Sequence, residues 1–134
     1  FKANKLKEAK RILLSNANPQ LARALADEVL RVYPNDIDAR EMRGISNLKS
    51  RKFEEANHDF ELTLKNPDKL DKNKKAMLLM LKGTASMDLC EVNQAVQELT
   101  EALSIKPIDA AYFNRATCNV QTFNYEAAIK DYTF

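Results

Sequence analysis

The histidine and cysteines on which zinc or thiol chemistry would centre in this 134-residue chain are His58, Cys90 and Cys118. A zinc site needs about four His, Cys or carboxylate ligands at short spacings, and a thiol nucleophile needs a base within hydrogen-bond reach. One histidine between Asn57 and Asp59, and two cysteines without ligand spacing, satisfy neither requirement. The only glycines, Gly44 and Gly83, stand singly, so there is no phosphate-cradling loop. The chain therefore reads as non-enzymatic, with no catalytic residue, metal or cofactor. Two unpaired thiols predict a reducing, cytoplasmic setting. Cys90 falls at a predicted turn, where a thiol is open to oxidation, but nothing in the sequence marks it as activated, so both cysteines read as structural.

Lysines offer a second kind of chemistry, the capture of an anion. Lys2, Lys5, Lys7, Lys10 and Arg11 form one cluster, and Lys69, Lys72, Lys74 and Lys75 another. Either could take an acidic peptide or a phosphate backbone. The formal net charge is only +2, however, and no aromatics interleave with the lysines as single-stranded nucleic acid would require. The clusters read as solvated faces, and the chain as one that binds no nucleic acid; helical repeats that read RNA are the alternative. No apolar run reaches the length of a membrane span and no signal-peptide pattern opens the chain.

The elements that must position these residues are helices. Of the residues, 45% are hydrophobic and 30% charged, with only 2 Gly and 4 Pro, and strand-like alternation is absent. Asn18-Pro19 has the form of an N-cap followed by proline at the first helical position, while Pro34, Pro67 and Pro107 each end an apolar pattern of helical period. The spacing predicts helices over 3–15, 19–32, 37–49, 53–65, 72–89, 92–104, 109–121 and 124–134. One lattice runs through them three times: a small residue, an apolar residue nine later, Ala after three more, and an apolar residue four further on. Its copies are Gly44, Phe53, Ala56, Phe60; Gly83, Val92, Ala95, Leu99; and Ala116, Tyr125, Ala128, Tyr132. Self-similarity at roughly 34 to 40 residues marks a solenoid, in which each unit buries its core against its neighbours.

The lattice resembles the tetratricopeptide repeat, whose helix pairs set a small residue of the first helix against an Ala of the second. The resemblance implies an all-α, right-handed superhelical array of antiparallel helix pairs, in about four units: 3–36, 37–75, 76–108 and 109–134. The first unit departs from the pattern: Lys10 stands where the small residue belongs, which predicts a splayed pair or a polar cap. Asn47, Ser86 and Asn119 replace the family's bulky residue, with Leu48, Met87 and Val120 expected to fill the space. The longer period between Gly44 and Gly83 predicts a long loop or a lengthened helix. Opening on Phe1 and stopping at Phe134 within a helical pattern, the sequence reads as a fragment of a longer protein.

In such a fold the first helices line a concave groove, and all four methionines fall on first helices. Met77, Met80, Thr84 and Met87 make one stripe of one helix, and the resemblance places Met42, Ile45, Phe113, Asn114 and Thr117 beside it. Flexible, polarisable Met side chains suit a groove that accepts an apolar peptide or helix of a partner protein, and equally suit a core. Lys7 and Arg11 are the candidate contacts for an acidic ligand. They correspond to part of the carboxylate clamp of chaperone-binding relatives, and Asn114 resembles its middle Asn. Met77 and Leu81 stand where its last two basic residues belong. The expected role is a protein-interaction scaffold, with an architectural or self-associating segment as the alternative and a co-chaperone domain behind both.

Overall fold

Helix ends in this chain are set by local chemistry. The computed structural model describes residues 2–15, 18–65 and 70–132, and among these it contains eight helices: α1 (Lys2–Leu14), α2 (Pro19–Val32), α3 (Ile37–Lys49), α4 (Phe53–Leu64), α5 (Lys72–Asp88), α6 (Val92–Ile105), α7 (Asp109–Gln121) and α8 (Tyr125–Tyr132). Asn18 caps α2 by accepting from the N–H groups of Gln20 and Leu21, with Pro19 at the first position. Asp36 and Asp71 cap α3 and α5 in the same way, accepting from Ala39 and Lys74. Pro34 and Pro107 follow α2 and α6 by two residues; Pro67 lies outside the described residues. The lengthened period is taken up partly by α5, which runs 17 residues against 13 in α3 and α7.

The chain forms two compact units that part between Thr63 and Leu64. In the first, Ala9, Ile12, Leu13 and Ala22 pack α1 on α2, and Leu6, Val29 and Ala39 bring in α3. In the second, Ala95 and Leu99 of α6 pack against Ala111 and Cys118 of α7. The glycines sit where helices touch. A Cβ on Gly44 would lie 2.7 Å from Cζ of Phe60, and one on Gly83 would lie 2.8 Å from Cγ of Leu99 and 3.5 Å from the Ala95 carbonyl oxygen.

Two sequence expectations are corrected here. Lys10 is exposed, and Ala9, one residue earlier, supplies the small side chain packed with Ala22, so the α1–α2 pair is closed rather than splayed. Asn47, Ser86 and Asn119 are themselves buried; of the residues expected to fill their space, Leu48 and Met87 are half-buried and only Val120 is exposed. Asn47 and Ser86 lie beside ion pairs whose acids, Asp59 and Glu98, are buried, and Asp131 is the buried acid of a third. Arg43 grips Asp59 in a fork (Nε to Oδ2 3.0 Å, Nη2 to Oδ1 2.6 Å), and Arg115 grips Asp131 likewise (2.9 and 2.7 Å). Lys82 pairs with Glu98 at the corresponding place, and Ser86 Oγ donates to Glu98 Oε1 at 2.7 Å. The carboxylate bonded to each arginine holds the guanidinium pKa above its ordinary value.

The turn inside three of the helix pairs repeats to the residue. Arg51, Cys90 and Phe123 each have a left-handed backbone, with φ of 63, 64 and 63°. The next N–H reaches back to the carbonyl of Asn47, Ser86 or Asn119 at 2.7, 2.9 and 2.7 Å, closing the helix C-terminus without a glycine.

Candidate functional site

α5 and α7, the first helices of neighbouring pairs, lie side by side in the second unit and present a mixed surface. Thr84 Oγ1 donates to the Met80 carbonyl at 2.9 Å, as a helical threonine can, and accepts from Asn114 Nδ2 at 3.1 Å. That bond ties the two helices across the middle of the surface. Met77 on α5 is 39% exposed and Phe113 on α7 is 59% exposed. Thr117 Oγ1 donates to the Phe113 carbonyl at 3.0 Å. Met80 and Met87 are half-buried against the cluster of Ala95, Leu99, Ala111 and Cys118. The methionine stripe is therefore divided: one edge belongs to the core and the other, at Met77, to solvent.

In the first unit Met42 and Ile45 are half-buried between α1 and α3, and with Leu13 and Leu14 they line a cavity of about 190 Å³. Lys10 and Lys49 flank it, and Lys49 Nζ donates to the Leu13 carbonyl at 2.9 Å. Leu14 is 74% exposed at its rim. Lys7 and Arg11 are exposed on α1 and sit outside this cavity.

The basic clusters are partly neutralised. Lys2 bonds Asp36 at 2.9 Å, Lys5 bonds Glu28 at 2.5 Å, and Arg11 pairs with Glu8 one turn earlier. Asp36 raises the Lys2 pKa, and Arg11 and Lys5 lower those of Glu8 and Glu28. The cations and glutamates of these pairs are at least partly exposed, so the pairs add little to stability, while the more buried Asp36 also caps α3. Lys72, Lys74 and Lys75 open α5; Lys69 lies outside the described residues.

His58 is exposed on α4, at a shallow polar cavity of about 310 Å³ that also touches Arg23, Arg43 and Glu55. Among the described residues no group of three His, Cys, Asp or Glu could hold a metal ion. The two thiols differ sharply. Cys118 is fully buried and burial pushes its pKa up, whereas Cys90 is exposed on its left-handed turn. Reaction of the native chain with a chromogenic disulfide near pH 8 should modify one thiol, with the second following only on unfolding. Two fast equivalents would place Cys118 at the surface. The raised Cys118 pKa also means that its share of stability holds below its unfolded value near 9.0 and declines as pH rises past it.

Sequence reasoning missed the three ion pairs, although their signal was in the lattice. Each basic residue immediately precedes the small residue, and each acid follows the lattice Ala by three.

No family model matches the chain. Over 97 residues, 72% of its length, it is 28% identical to the DnaJ homolog subfamily C member 7 homolog of Dictyostelium discoideum, and the match spans 18% of that protein. Among solved structures, it superposes on MamA (41-end) from Desulfovibrio magneticus RS-1 with a TM-score of 0.85, covering 99% of this chain and 72% of that one at 17% identity. The MamA RS-1 ArsTM double mutant gives 0.82 at 17% identity over 98% of this chain and 71% of its own. Among the described residues no helix is long and apolar enough to cross a membrane. The repeated lattice, the close approaches at Gly44 and Gly83, and a likeness to MamA over almost the whole chain agree, and this chain has the tetratricopeptide-repeat fold.

Proposed function

We propose that the chain is a protein-interaction scaffold that binds an extended peptide or a helix of a partner protein along the first helices of its pairs, with no catalytic role. The α5–α7 surface of the second unit is its best-formed site. The observation that carries this reading is the exposure of Met77 and Phe113 on either side of the Thr84–Asn114 bond. Apolar side chains with a central polar pair are the make-up of a recognition patch, in which the apolar groups give affinity and the amide gives register. Met42 and Ile45, beside exposed Leu14, give the first unit a smaller counterpart. The unpaired thiols fit a reducing compartment.

Selection from a random peptide-display library tests the site. Peptides enriched on the wild-type chain should lose at least tenfold in affinity against Met77→Glu with Phe113→Ser. Both positions are exposed, so thermal stability should move by no more than about 1 kcal/mol. No enrichment, or enriched peptides indifferent to the double substitution, would remove this surface as the site.

The co-chaperone reading draws on the named Dictyostelium relative and meets an obstacle in the side chains. A clamp for an acidic chain terminus needs several converging cations, and Met77 and Leu81 hold two of those places. An acidic C-terminal peptide should bind no tighter than its scrambled control. Tight binding abolished by Lys7→Ala with Arg11→Ala would reverse this conclusion.

A further inference from the structure

The cavity of about 310 Å³ walled by α2, α3 and α4 contains an acceptor that the fold leaves unused. Asn47 and Asp59, 1 and 3% exposed, are its most buried lining residues. Asn47 Nδ2 donates to Asp59 Oδ2 at 3.5 Å, which sets the direction of the amide. Asn47 Oδ1 is closed to solvent and accepts no hydrogen bond among the described residues. A buried amide oxygen without a donor is costly, and in a native fold it points to a partner from outside. Ser86, at the corresponding place in the next pair, shows no such deficit, because its hydroxyl donates to Glu98.

The charges around the cavity define that partner. Arg43 is held by Asp59 and, at 3.2 Å, by Asp27, which also lies 3.9 Å from Arg23. The two arginines are thus matched by two aspartates. Glu54 and Glu55, exposed in the first turn of α4, line the same cavity and form no ion pair among the described residues. Beside Val92, the lattice counterpart of Phe53, the matching residues are the neutral Asn93 and Gln94. An unused amide acceptor with two uncompensated carboxylates calls for one group that is both cationic and rich in N–H donors. Guanidinium meets this better than ammonium. It carries five donors in a rigid plane, enough to reach amide and carboxylate together, and is the more weakly hydrated ion. His58, exposed at the cavity and free of hydrogen bonds among the described residues, can turn aside to admit it. We infer that this cavity binds an arginine side chain of a partner protein, with Asn47 Oδ1 as acceptor and Glu54 and Glu55 as counter-charge. None of these residues belongs to the α5–α7 surface, so the two sites stand or fall separately.

Titration of the isotope-labelled chain with N-acetyl-arginine methylamide, followed by NMR, tests this. The Asn47 side-chain N–H signals and the backbone signals of Glu54 and Glu55 should move together. They should saturate with a Kd on the order of 1 mM, as suits a single side chain. N-acetyl-lysine methylamide should bind at least about threefold more weakly. The citrulline analogue, similar in shape but uncharged, should bind at least about tenfold more weakly. Glu54→Gln combined with Glu55→Gln should weaken arginine binding at least about fivefold and, both positions being exposed, leave the circular dichroism spectrum unchanged. Added salt should weaken binding to the wild type more than to the double variant. Absence of saturation up to about 50 mM, shifts that spare the Asn47 amide, lysine or citrulline binding as tightly as arginine, or a double variant that binds as the wild type does would each overturn the inference.

Discussion

Glu98→Ala should cost about 3 to 5 kcal/mol of folding stability, the largest effect of any single substitution in the second unit. The carboxylate is 8% exposed and Lys82, its partner, 9%, so truncation leaves an ammonium buried without its counter-charge. It also removes the acceptor of the Ser86 hydroxyl. Forming a buried pair and breaking one are not symmetrical in energy. Attraction between Lys82 and Glu98 roughly offsets their desolvation, whereas the orphaned charge has nothing to offset it. Lys82→Met combined with Glu98→Leu should therefore fall within about 1 to 2 kcal/mol of wild type, in either direction. Urea unfolding of the wild type, both single variants and the double variant closes the cycle. Costs that simply add would show that the two side chains do not interact in solution.

Gly44→Val should cost about 3 kcal/mol in the first unit. The new Cβ falls against the Phe60 ring, and Phe60 has no exposed surface and so no room to withdraw. Helix propensity works in the opposite direction, since a glycine inside α3 is less favourable than most residues by up to about 1 kcal/mol. Steric overlap wins because a ring cannot deflect as a flexible chain end can. Adding Phe60→Ala should recover part of the loss, although on a wild-type background that same change leaves a void and destabilises by about 3 to 5 kcal/mol. A Gly44→Val chain as stable as wild type would mean that α3 and α4 do not meet at this point.

The helices were legible because their ends are written locally. Asn18 and the prolines mark termini by their own hydrogen-bonding limits, and the helical period of Val92, Ala95, Val96 and Leu99 needs no tertiary knowledge. The close contacts were legible for a similar reason, since a lone Gly44 or Gly83 in a helix implies a neighbour near its backbone. Lys10 misled because the α1–α2 pair is shifted by one residue, so a strict spacing rule pointed at a solvent-facing side chain. The ion pairs were missed because Arg43 and Asp59 are distant in sequence, and charge is ordinarily assigned to solvent. Burial of Asn47 and Ser86 is intelligible only with those pairs in view. At the candidate site, the sequence placed the methionines on one stripe; the depth at which Met80 and Met87 meet the α6–α7 core depends on packing, which spacing does not encode.

The three ion pairs also differ in a way that constrains how this chain can change. Arg43 and Arg115, with long side chains, face the short acid Asp, whereas Lys82, shorter, faces the longer Glu98. Combined reach is thus nearly the same at all three places, and it spans a helix separation that the adjoining Gly or Ala holds fixed. A change in one member of a pair is therefore expected to need a matching change in the other. A lineage drifting from Lys82 to Arg would crowd Glu98, and one drifting from Asp59 to Glu would crowd Arg43, until the partner changed to match. Recombination among the helix pairs of this chain is open only to breakpoints that carry both members together.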